Sequence, residues 1–163
     1  MAAVDLYLDL EGVTGESKDK DHVGQMELQS WSWGVSNQGY YGQGKGGARG
    51  KGTVNEITVI KHVDQGSVEC FKRCLVGHHF NSGKLTAYKA AGDGKRVPYL
   101  KIELKKVYVT GLNASGSGGE LIPTESMSLN FEEFKYVYKV QADTGGEGKE
   151  IEFAYNLSQH QNA

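Results

Sequence analysis

VPYLKIELKKVYVTGL, residues 97–112, decides the fold class. Leu100, Ile102 and Leu104 alternate with polar residues in one phase, and Val107 and Val109 continue in the opposite phase. Period-two alternation marks a strand with one buried face. The change of phase predicts a β-bulge near Lys105, and long bent strands suit a barrel or a strongly coiled sheet.

The same period recurs on both sides of this run. Downstream, Met127, Leu129 and Phe131 form one strand pattern, and Phe134, Tyr136, Tyr138 and Val140 alternate with Lys135, Val137 and Lys139. Ile151, Phe153, Tyr155 and Leu157 then alternate with Glu150, Glu152, Ala154 and Asn156. Upstream, Leu85 and Ala87 mark a short strand ending at the turn signal Asp93-Gly94, and Ile57 and Val59 mark another. Val4, Leu6, Leu8 and Leu10 share one face, leaving Asp5, Tyr7, Asp9 and Glu11 on the outer one. Met26 and Leu28 are out of phase with Trp31, Trp33 and Val35, which predicts a second bulge near Gln29 and Ser30. The turn-rich segments NASGSGG and DTGGEGK separate the later strands.

One segment reads as a helix, residues 67–76, with Val68, Phe71, Leu75 and Val76 on one apolar face. Ser67 is placed to cap it and Glu69 to meet the positive end of its dipole. Lys72 and Arg73 suit the negative end, and Gly77 suits the left-handed position after the last turn. Many strands around one flanking helix predict a mainly β fold, a closed barrel made from two sheets. With 163 residues the whole chain, 1–163, fits one domain, and such a domain buries about two-thirds of its unfolded surface.

Eighteen basic and twenty acidic residues give a net charge of −2, which offers no general surface for nucleic acid. No stretch approaches a membrane-spanning length. The start, MAAVDLYLDLEG, lacks the charged and apolar regions of a cleaved signal, so a cytoplasmic origin and any export without such a signal are expected. Cys70 and Cys74 lie four apart on the helix. Cβ atoms at that spacing are about 5–6 Å apart, too far for a disulfide. Two thiols are also too few for a structural metal site, and no cofactor is expected.

Residues 40–52, YYGQGKGGARGKG, hold six glycines and match GxGxxG at Gly42, Gly44 and Gly47. A dinucleotide fingerprint needs a helix next, but the β-branched run from Thr53 follows, so context rejects it. Lys45, Arg49 and Lys51 lack an aromatic platform for single-stranded nucleic acid. What remains for residues 38–52 is a long extended loop, either free or an arm that orders on a neighbouring subunit.

Catalytic candidates also fail on context. His78 and His79 have no carboxylate or cysteine cluster beside them, no GxSxG elbow exists, and Ser126 lies within a strand. Asp5, Asp9 and Glu11 could be imagined as a hydrolase's carboxylate pair, but a solvated strand face explains them as well. Trp31 and Trp33 could stack a sugar in a monomeric lectin-like binder, or belong to the core. In either case Ser30 and Ser32 face away from the indoles. No catalytic residue is expected.

The segments VDLYLDLEGVTGES, WSWGVS, the helix followed by GHH, YLKIELKKVYV and PTESMSLNF occur in an order that resembles the haemolysin-coregulated protein family, the tube subunits of type VI secretion systems. The resemblance spans residues 4–157. It implies homohexameric rings that stack into a tube, bear a spike protein at the tip, are driven out by a contractile sheath and hold secreted effectors in the lumen. On this resemblance residues 38–52 form the arm between rings, with Gln38, Tyr40, Tyr41, Gln43, Lys45, Arg49 and Lys51 as its contact residues. If the tryptophans are core, Ser32 faces the lumen and touches cargo. The chain departs from the family in having Val68 where many members carry proline after the serine, and in the glycine content of the loop.

Overall fold

A computed structural model describes residues 5–39, 51–91, 94–143 and 147–163. In chain order the elements are β1 (Asp5–Leu10), β2 (Met26–Glu27), β3 (Ser30–Ser32), β4 (Val35–Ser36), β5 (Thr53–Val54), β6 (Ile57–His62), α1 (Gln65–Val76), β7 (Phe80–Ala90), β8 (Arg96–Ser115), β9 (Thr124–Gln141), β10 (Glu147–Asn156) and β11 (Gln161–Asn162). The pairings are antiparallel. The main sheet runs β11-β10-β9-β8-β7-β1-β2, with β6 also on β9 and β3 on β6, while β4 and β5 form a separate ladder.

β8 and β9 span 20 and 18 residues and carry the fold. The first half of β8 pairs with β7 and the second half of β9. The first half of β9 lies between the end of β8 and β6. One chain segment thereby serves two walls around the core, where Leu8, Ile57, Val59, Phe80, Leu85, Ile102, Met127 and Leu129 are fully covered. The phase change expected near Lys105 is present, because Lys105 and Lys106 are both exposed. Its mechanism differs from a bulge. Lys105↔Glu133 and Val107↔Phe131 keep one register, so both strands turn over together. Lys106 takes a left-handed conformation, φ 49°, and its Nζ lies 2.8 Å from Glu132 Oε2. The register shift itself lies between Val109 and Gly111.

At Gln29 and Ser30 the phase change is a change of partner rather than a bulge. Leu28 N donates to Leu6 O at 2.9 Å, and Gln29 N donates to Ile60 O at 2.7 Å, so the chain leaves β1 for β6 within one residue. The ladders form an open path and not a closed cycle. The expected closed barrel is therefore seen only as an open, bent sheet with one helix. The strand expected at Leu85 and Ala87 is longer than anticipated, covering Phe80–Ala90.

The helix begins two residues earlier than expected and is turned the other way. Asp64, not Ser67, is its N-cap and accepts from Gly66 N and Ser67 N; Ser67 completes the capping box as N3. Glu69 lies beyond the first turn and bonds Arg73 Nε at 2.9 Å instead of serving the dipole. Gly77 closes the helix at φ 69°, as expected. Gly66, Ser67 and Cys70 are buried, whereas Val68, Phe71 and Leu75 are 74 %, 59 % and 79 % exposed. Close approach explains the choice of face: a Cβ at Gly66 would sit 3.0 Å from Val13 Cγ1 and 3.1 Å from Met26 Sδ. Only small residues fit there.

Three other facings differ from alternation. Tyr7 is buried, because residues 11–25 fold over it and the His22 ring stacks on it at 4.2 Å. Val35 is exposed in the β4–β5 ladder rather than in phase with the tryptophans. Tyr136, Tyr138 and Val140 are exposed along with Ile151 and Phe153, although their phase is that of Leu100 and Ile102 across the ladder. The apolar face of the sheet runs on past the core's cover.

Candidate functional site

The outward phase of β3, β6, β9 and β8 brings three rows of residues together. Ser32, Thr58, Ser128 and Gly111 are in register, as are Ser30, Ile60, Ser126 and Asn113, and then His62, Thr124 and Ser115. Strand alternation explains this directly: Val59, Met127 and Leu129 enter the core, so their neighbours Thr58, Ser126 and Ser128 must face away. The rows contain hydroxyls, one amide, one imidazole and one isoleucine, and no Asp, Glu, Lys or Arg. Ser32 and Ser30 are exposed at the margin. Such a face offers short-range hydrogen bonds without a strong field. Each hydroxyl and the amide there can both donate and accept a hydrogen bond.

Behind this face the charges are turned inward. Lys61 is fully covered, and its Nζ lies 2.7 Å from Glu125 Oε1, 3.1 Å from Asp64 Oδ1 and 3.1 Å from Ser67 Oγ. Ser67 Oγ donates to Glu125 Oε1 at 2.6 Å. The serine–lysine pair has no path to a substrate; it pins the start of α1 to β6 and β9.

The remaining candidates are structural. Asp5 accepts from Arg96 Nη1 at 3.0 Å, and Arg96 Nη2 reaches Asp19 at 2.6 Å, so Asp5 belongs to an anchor for residues 11–25, while Glu11 accepts from Ser82 Oγ at 3.3 Å. Burial disfavours the Arg96 charge, but the hydrogen bonds it donates to Tyr7, Asp19 and Asp5 outweigh this and raise its pKa. The same bond from Arg96 holds the Asp19 carboxyl below its ordinary value. Trp33 lies edge-on to Phe131, Phe134 and Tyr136 and donates from Nε1 to Asn55 O at 2.9 Å. An indole held this way is part of the core's edge and no flat platform for a sugar. Cys70 and Cys74 are both free thiols, and burial pushes Cys70 up to about 12. Among the described residues no three His, Cys, Asp or Glu converge as a metal site, and no helix is long and apolar enough to cross a membrane.

Of the expected arm, Tyr40, Tyr41, Gln43, Lys45 and Arg49 lie outside the described residues. Gln38 and Lys51 are exposed at its base, where Val35 pairs with Val54 and Ser36 with Thr53. The residues that sequence reading missed are Thr58, Ser126, Ser128 and Asn113. Part of their signal, small polar residues at every second position of TESMSLN, was present. Only strand pairing shows that they share a surface with Ser32.

A bent β-sheet with a single helix and an uncharged hydroxyl face defines a class, and comparison defines the family. The profile described as "Type VI secretion system effector, Hcp" matches residues 7–138. Protein hcp1 of Pseudomonas aeruginosa is 37% identical over 159 residues, 97% of this chain and 98% of that protein. A solved type six secretion system protein superposes with a TM-score of 0.91 at 27% identity, covering 99% of this chain and all of the other. Hcp1 from Salmonella typhimurium gives 0.78 at 28% identity over the full length of both chains. The chain belongs to the Hcp family of type VI secretion tube proteins.

Proposed function

We propose that the whole chain is one structural domain, the repeating subunit of a type VI secretion tube, and that the hydroxyl-lined face of β3, β6, β9 and β8 is the wall of its lumen. Copies close head to tail into hexameric rings, and the rings stack through a second, different contact, as heterologous interfaces allow. Residues 26–32, which bond Leu6 on one side and Ile60 on the other, complete the sheet as a barrel. The arm of residues 38–52, with Gln38, Tyr40, Tyr41, Gln43, Lys45, Arg49 and Lys51, reaches the adjacent ring. The tube carries a spike at its tip, is driven by a contractile sheath, and leaves the cytoplasm without a cleaved signal; it engages neither nucleic acid nor membrane. No catalytic role is assigned.

The observation that carries this reading is the make-up of the three registered rows around Ser32, which hold hydroxyls, one amide and one imidazole and no Asp, Glu, Lys or Arg. Secreted effectors pass or rest there as clients of the ring. Native mass spectrometry at micromolar concentration tests the assembly: a hexamer is expected, and a strict monomer rejects it. For the lumen, Ser32→Gln leaves the ring intact and lowers retention of a co-expressed effector; unchanged retention rejects the cargo role of Ser32.

A further inference from the structure

The described chain presents two separate apolar faces without cover. One is on α1, where Val68, Phe71, Leu75 and Val76 point away from the protein while the small residues opposite them pack inward. The other is on the β9–β10 ribbon, where Tyr136, Tyr138, Val140, Ile151 and Phe153 are 38 %, 39 %, 40 %, 55 % and 51 % exposed. Cross-strand register makes the second face continuous, since Ile151 lies opposite Tyr138 and Phe153 opposite Tyr136. The ribbon's other side is charged and self-satisfied, with Lys135 paired to Glu152 at 3.1 Å and Lys139 to Glu150 at 3.7 Å. Each element is thus amphipathic with its apolar side outward, the reverse of what burial favours in an isolated subunit.

Position decides what covers them. The hydroxyl-lined face has β3 at one margin and the end of β8 at the other. α1 packs against β8, with its buried side on Val13, Met26 and Phe80. The ribbon meets the β3 margin through Trp33, which follows β3 and contacts Tyr136 at 5.5 Å between ring centroids. The two apolar faces therefore lie on different parts of the subunit, one on α1 over Val13, Met26 and Phe80 and the other on the ribbon beside Trp33. They differ in kind, a ridged helix and a flat two-stranded surface, so each lacks the self-complementarity of an isologous dimer and suits a head-to-tail contact. Half-exposed side chains of this size give on the order of 300–500 Å² per face. With a polar rim that approaches the roughly 800 Å² per partner of a stable interface.

We infer that the Val68–Phe71–Leu75 face of α1 docks on the Tyr136–Tyr138–Phe153 face of the β9–β10 ribbon in the next copy of this chain. The inference rests on the ring reading above and names the surfaces that make the ring. Its partner is a second copy, and every subunit gives its helix to one neighbour and its ribbon to the other.

A charge-reversal experiment tests it, with native mass spectrometry as the readout and far-UV circular dichroism confirming an unchanged fold at these exposed positions. Phe71→Glu alone and Phe153→Lys alone each raise the concentration for half-assembly at least about 100-fold, as loss of a central aromatic anchor does. The chain bearing both substitutions sets a carboxylate against an ammonium at every contact, and assembly returns. Rings that persist in both single variants overturn the inference and leave the ring reading intact. So does a double variant that stays dissociated, which means the two faces meet other surfaces. A parent chain that never assembles overturns the ring reading itself.

Discussion

Lys61 and Glu125 have no solvent to fall back on, and this makes them the residues whose chemistry matters most to the fold. The pair lies between β6, β9 and the first turn of α1, with Ser67 Oγ bonded to both. Removing one member of a buried pair leaves the other without compensation, which costs far more than the intact pair contributes. Glu125→Gln keeps the shape and loses the charge, and Asp64 supplies only part of what is missing. A loss of about 2–4 kcal/mol is expected, read by denaturant titration of the dissociated subunit. Lys61 follows the phase of Ile57 and Val59, and Glu125 that of Met127 and Leu129, a signal that the strand reading left unused. Their inward phase was legible, but their partnership, 64 residues apart, was not.

At the scale of elements, residues 11–25 and α1 show two ways a segment is held without alternation. The loop is fixed by polar contacts: Arg96 bridges Asp5 and Asp19, and His22 stacks on Tyr7 and reaches Tyr88 Oη at 2.5 Å. Because Arg96 lowers the Asp19 pKa in the folded state, this contribution is present above the ordinary value of about 3.9 and fades as pH falls through the lower folded value. Asp19→Asn should therefore melt below the parent at pH 7, with the difference shrinking toward zero in strong acid; thermal melts across pH 2–7 check this. A gap that is constant with pH would mean that packing, not charge, holds the loop. For α1, the helix and its glycine end were readable from Gly77, while its buried side was not. An apolar stripe says that a face will be covered, but it does not say whether the cover is the same chain.

Over the whole molecule, this distinction is what separates the fold from its assembly. Among the described residues twenty-one form one apolar cluster, and nine of the fifteen exposed large apolar side chains outside it lie on α1 and the β9–β10 ribbon. Contacts of that kind are weakly sensitive to ionic strength, whereas exposed ion pairs are screened beyond about 3 Å at 1 M salt. Assembly is expected to persist in about 1 M NaCl, measured by sedimentation velocity. Dissociation by salt would point to charged contacts instead. Mild urea should dissolve the ring before the subunit unfolds, because the interface is smaller than the core.

By itself the sequence determined the strand-rich class, the inward set along β6, β8 and β9, the position of the single helix and the outward facing of Ser30 and Ser32. All of these depend on local periodicity, which repeats within a few residues. Tertiary structure decided which side of α1 is buried, where β8 and β9 turn over together, and that Ser32, Thr58, Ser128 and Gly111 stand in one row. Those outcomes depend on pairing between distant segments, and on how closely Gly66 can approach Val13 and Met26. Alternation specifies that two faces differ, and only the packed chain specifies what each face meets.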